Sequence, residues 1–173
     1  PFIVFHNPVT GTVEAAYAED GEWRTETIDH VGPETPGIAL GLNSEGIPFV
    51  AYMDGDDDIF KCAFRDDDGW VITEVDDAPG AGRWCSIAFL NGEFPVIAYY
   101  VAGTGDLRFA AMLLLKPEEG INWGVTTVDE EGRACLRVVS ADQFVEGKNT
   151  IADVVLRALG AEEGEGKIVD SLV

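Results

Sequence analysis

Pro48-Phe49-Val50-Ala51-Tyr52-Met53-Asp54 decides the fold, because the chain carries this stretch three times. Its counterparts are Pro1-Phe2-Ile3-Val4-Phe5-His6-Asn7 and Pro95-Val96-Ile97-Ala98-Tyr99-Tyr100-Val101. The prolines stand at 1, 48 and 95, so the period is 47 residues twice over. Other landmarks keep the same spacing: Val13 with Phe60 and Leu107, Trp23 with Trp70, and Ile28-Asp29 with Val75-Asp76. Trp123 stands 53 residues after Trp70, because six residues are inserted around Lys116-Pro117-Glu118-Glu119-Gly120.

Within one period the chain reads as four strands with a turn after each. Phe2–Phe5 is a short run of strand formers, and Asn7-Pro8 with Gly11 marks a turn. Val13–Tyr17 follows, then Asp20-Gly21, then Trp23–Asp29 with the period-2 alternation of a half-buried strand. Ile38-Ala39-Leu40 begins the fourth strand, which turns at Asn43–Gly46 into Pro48. Arg83–Phe89 and Arg133–Val139 occupy the fourth position in the next two units. The Asn91-Gly92-Glu93 turn reads as two residues shorter than its predecessor, and Asn-Gly between apolar runs predicts a hairpin. The units are thus 1–47, 48–94 and 95–140. Residues 141–173 form a degenerate fourth unit or a C-terminal assembly segment. There Ile151, Val154, Val155, Ala158 and Leu159 carry helical spacing and predict a short helix over 150–159, although Thr150–Val155 also matches the opening strand of a unit.

A length of 173 residues allows one domain with a real core. The 32 acids against 11 bases give a formal net charge of −21. Such a surface repels phosphates and anionic headgroups, which argues against nucleic acid and membrane insertion as partners. Cys62, Cys85 and Cys135 cannot all pair and read as small apolar residues. Free thiols and an acidic surface suit a soluble cytoplasmic or virion-associated protein better than a secreted one built on disulfides.

A four-stranded unit recurring every 40 to 50 residues is the signature of a β-propeller blade. The Trp, Val-Asp, Ser-Ile-Ala and Pro-Val-Ala-Tyr elements over about residues 1–139 resemble the blade repeats of bacterial and viral surface proteins. That resemblance implies an all-β fold of propeller-type blades, three clear and a fourth degenerate. Propellers usually close with four to eight blades. Three units leave sheet faces and edges open, so self-association or a protein partner covering them is expected.

Three sites are candidates for chemistry. Asp54, Asp56 and Asp58 lie at alternate positions of a Gly-containing turn, the pattern by which carboxylates converge on Ca²⁺. Asp66–Asp68 is a second acidic turn. Trp23, Trp70 and Trp123 recur at one blade position and serve either inter-blade packing or a ring of sugar-stacking sites. Arg83 and Arg133 are placed to pair with Asp76 and Asp129. His6 and His30 lack a Ser or Cys nucleophile in a recognisable setting. The pieces Asp20-Gly21-Glu22-Trp23 and Asp68-Gly69-Trp70 lack the Ser-x-Asp-x-Gly-x-x-Trp box of sialidases. The expected function is a non-enzymatic binding or structural module in a larger assembly. The alternatives are a lectin-like glycan-binding module and a degenerate sialidase-like hydrolase.

Overall fold

The computed structural model describes the backbone of residues 1–114, 121–128 and 134–138 and the side chains of residues 1–112. Among these residues every regular element is a strand. The order is β1 (Phe2–Asn7), β2 (Thr12–Glu19), β3 (Glu22–His30), β4 (Ile38–Leu42), β5 (Pro48–Asp54), β6 (Ile59–Arg65), β7 (Trp70–Asp76), β8 (Arg83–Leu90), β9 (Phe94–Val101), β10 (Asp106–Leu114), β11 (Ile121–Val128) and β12 (Ala134–Val138). They form three antiparallel sheets, β1-β2-β3, β4-β5-β6-β7 and β8-β9-β10-β11-β12. None of the three closes on itself. The helix expected over 150–159 and the whole segment 141–173 lie outside the described residues.

The sheets begin one strand earlier than the prolines suggest. Ile38–Leu42 pairs with Pro48–Asp54 through the Asn43–Ile47 turn, so it opens the second sheet. Arg83–Leu90 opens the third in the same way. The register also corrects the expected two-residue shortening. Leu40 lies opposite Val50 and Ile87 opposite Ile97, so β4 and β8 keep the 47-residue spacing. The second hairpin is tighter because its ladder runs one pair further, to Leu90 and Phe94.

Alternation along the strands gives each sheet two faces, and the core lies between sheets. Val13, Ala15 and Ile28 of the first sheet meet Val50, Tyr52 and Ala63 of the second. Phe49, Ala51, Phe60, Cys62 and Val75 of the second meet Ile97, Tyr99, Val101 and Ala110 of the third. The opening strands lie side by side, with β4 next to both β1 and β8. The turns at their ends are tied by the Ser44 N–H, which donates to Gly92 O at 2.6 Å.

Gly82 shows how tightly the second joint is closed. Its φ is +92°, which disfavours any side chain, and a Cβ there would run into the Phe60 ring. Phe60 is fully buried against Tyr99, with ring centroids 4.5 Å apart, so it has nowhere to move. Gly46 shares the positive φ, at +82°, but a Cβ there meets nothing within 4 Å. Gly46→Ala is therefore expected to cost only the backbone term, about 1–2 kcal/mol. Gly82→Ala adds overpacking and should cost about 2–5 kcal/mol in chemical denaturation. Equal losses would show that the Phe60 contact is not limiting.

Candidate functional site

The polar residues that recur with the repeat come together between the sheets. Asp29, next to last in β3, reaches over to the second sheet. Its Oδ2 accepts from Tyr52 Oη at 2.9 Å and from Lys61 Nζ at 3.2 Å. Each of these positions recurs 47 residues on. Asp76 Oδ2 accepts from Tyr99 Oη and from Arg108 Nη1, both at 2.7 Å. So an aspartate on the last strand of one sheet is held by a tyrosine and a cation from the middle strands of the next.

Burial makes these groups interdependent. Asp76 is fully buried, and the Arg108 side chain is only 13% exposed. A buried carboxylate needs compensating donors, and each joint supplies two. Burial, then the neighbouring Asp29 charge, pushes the Tyr52 hydroxyl far above its usual range, so it stays a donor. Burial alone would lower the Lys61 ammonium, but its bonds to Asp54 and Asp29 outweigh that and raise it. Backbone bonds complete the joints. The Gly55 N–H donates to Val31 O and the Ala102 N–H to Gly80 O, each at 2.9 Å.

The acidic turn after β5 is built into this architecture. Asp54 is 1% exposed, and its Oδ2 is bonded to Lys61 Nζ. Its Oδ1 accepts from the N–H groups of Asp56 at 3.0 Å and Asp57 at 3.3 Å. Asp58 accepts from the Gly80 N–H at 3.1 Å, pinning the next crossing loop. Asp56 sits over Gly32, whose missing Cβ leaves room for its carboxylate. Asp54, Asp56 and Asp58 therefore point to three different partners. No group of three His, Cys, Asp or Glu among the described residues converges to hold a metal ion. Asp66 closes its own turn by accepting from the Asp68 and Gly69 N–H groups, both at 2.9 Å.

The tryptophans differ according to what lies next to them. Trp70 packs edge-on against Phe2 and donates from Nε1 to Glu26 Oε1 at 2.9 Å, both on the first sheet. Trp23 occupies the same position one unit earlier and is 58% exposed. The Trp123 side chain lies outside the described residues. Sequence reasoning missed Trp84, which is 73% exposed, has φ +47° and lies against Tyr100 at a centroid distance of 5.5 Å. It sits where β8 slips register between Arg83 and Ser86. Nothing in the repeat marks it, because its counterpart 47 residues earlier is Gly37. Asp76 is joined to Arg108 rather than to the expected Arg83. Arg83 lies on the opening strand of the third sheet, whereas Arg108 projects from β10 onto the face that receives Asp76.

An open cleft of about 610 Å³ lies between the second and third sheets at the Asn43 and Glu93 turns. Phe49, Phe64, Phe94 and Met112 give it an apolar wall, with Glu45 and Asp67 on the rim. His6 Nε2 lies 2.9 Å from Gly32 O and so ties β1 to the loop that follows β3. Comparison with known proteins found no matching protein family and no matching curated relative.

Two outcomes follow from the joints. Tyr99→Phe removes one donor and should cost about 1–3 kcal/mol. Asp76→Ala strands a buried guanidinium and should cost about 3–5 kcal/mol, while Asp67→Ala on the exposed turn stays within about 0.5 kcal/mol. Urea denaturation checks the order, and comparable losses at Asp76 and Asp67 would contradict it. The thiols give a second test. Burial pushes Cys62 well above its usual range and Cys85 up to about 12. At pH 8 both should resist a thiol-specific disulfide reagent in the native protein and react on unfolding. Fast native labelling at either would overturn this.

Proposed function

We propose that this chain is a non-enzymatic binding or structural module of propeller-type blades, working by continuing its stack of sheets onto a protein partner. One observation carries the reading. Ile3 is 50% exposed, whereas its counterparts Val50 and Ile97 are fully buried under the preceding sheet. The same face of the first sheet carries Phe5 and the exposed Trp23. An apolar face that is covered at every other position of a repeat marks an interaction surface. The edge of this sheet supports the reading as well. In the second and third sheets β5 and β9 each pair with an opening strand, β4 and β8. Among the described residues β1 pairs only with β2, and no strand among them bonds its other edge.

Strand complementation tests this reading. A peptide with the β8 sequence, Arg83–Leu90, is expected to pair with the open edge of β1 and slow amide exchange there. Slowing confined to other strands, or none at millimolar peptide, would overturn the reading. A second reading, glycan binding, is favoured by Trp84. A bulky residue with positive φ is costly and is retained mostly where function needs it, and its indole lies beside Tyr100. On a glycan array this reading expects signal lost on Trp84→Ala and kept on Trp70→Ala. No signal from the unaltered protein would remove it.

A further inference from the structure

The outer face of the first sheet has the same strand positions as the faces that receive Asp29 and Asp76, but its chemistry is reversed. Three groups at repeating positions donate across both internal joints: a tyrosine hydroxyl, a cation and a backbone N–H. At the second joint they are Tyr99, Arg108 and Ala102, and at the first Tyr52, Lys61 and Gly55. The residues 47 positions before the first set are Phe5, Glu14 and Pro8. Phenylalanine has no hydroxyl, glutamate is an acceptor, and proline has no N–H to give. All three donors are missing together.

We propose that the outer face of the first sheet docks a sheet from outside residues 1–173 that presents a lysine or arginine where this chain's own sheets present aspartate. The proposal rests on the docking role argued above and names the chemistry of the partner. Ile3, Phe5 and Trp23 supply the apolar area, and Glu14 supplies the charge. Glu14 is held for that role. Its Oε1 accepts from Thr12 Oγ1 at 2.8 Å and Asn7 Nδ2 at 3.0 Å. These bonds, Thr12 first, keep its carboxyl below the usual range and therefore ionised. Glu14 and Asn7 stand where Lys61 and Asp54 stand in the second sheet, so the pair survives with its polarity inverted. A sheet of this chain's own kind is a poor match, because it would bring an aspartate like Asp29 or Asp76 up to Glu14, and like charges repel.

A tandem chain tests the proposal. Residues 48–94 are repeated ahead of Pro1, so that the added Arg83–Leu90 strand abuts β1 and the added Asp76 faces Phe5, Glu14 and Pro8. The junction from Phe94 to Pro1 copies the natural one from Phe94 to Pro95. Changing Asp76→Arg in the added unit alone should raise the thermal midpoint by about 3 °C or more. The same change at the resident Asp76 should lower it. Glu14→Lys combined with Phe5→Tyr should reverse the preference of the added unit. If Val4 amide exchange is slowed in both tandem chains but arginine gives no gain, this proposal fails and the docking role stands. If Val4 is protected in neither, both fail.

Discussion

Asp76 is a carboxylate with no access to water, and the joint between the second and third sheets is organised around that fact. Desolvating the charge is tolerable because Tyr99 and Arg108 approach from the facing sheet while the Ala78 N–H donates from Asp76's own turn. Those donors stand on two adjacent strands, which fixes the sheet in translation and in rotation. Dispersion and burial then act on an arrangement that is already specified. Phe60 against Tyr99 and Gly82 against Phe60 are tolerances set by that placement. Asp29 repeats the device with Lys61 in place of Arg108.

The charge balance acquires a meaning from this. A chain with net charge −21 has few cations to place. Five lysines and arginines fall within residues 1–112, and three of them, Lys61, Arg65 and Arg108, bridge from one sheet to the one before it. Surface ion pairs contribute little to stability, whereas a cation beside a buried carboxylate is hard to replace. The bases are concentrated where a missing one would be most costly. The exposed turns stay acidic.

Much of this architecture was legible in the sequence, and the reasons are specific. The 47-residue period, the four strands per unit and the aspartate ending every third strand follow from patterns local to a few residues. The partner of Asp76 did not follow. Arg83 is near in sequence, but Arg108, 32 residues away, lies on the receiving face, and only strand pairing reveals which face that is. Asp54 shows a related limit. Alternating carboxylates in a glycine turn read the same whether they face an ion or cap backbone N–H groups. Which applies depends on Lys61, which lies on the next strand. Trp84 was invisible because a register slip has no signature in a repeat that carries glycine at the matching position.

The first sheet differs from the other two in what it offers a neighbour. A face that met a sheet of the same kind would carry a hydroxyl, an N–H and a cation at positions 5, 8 and 14, as their counterparts do. In a solvent-facing cap Ile3 and Trp23 would be polar, since terminal repeats are capped by polar outer faces. The first sheet fits neither description. The face keeps the apolar residues of a joint and exchanges the tyrosine, cation and backbone N–H donors for Phe5, Glu14 and Pro8. On the docking proposal, that combination suits a sheet that brings its own positive charge. Specificity of this kind needs few residues, because the common apolar pattern supplies contact and the inverted polar pair selects what makes it.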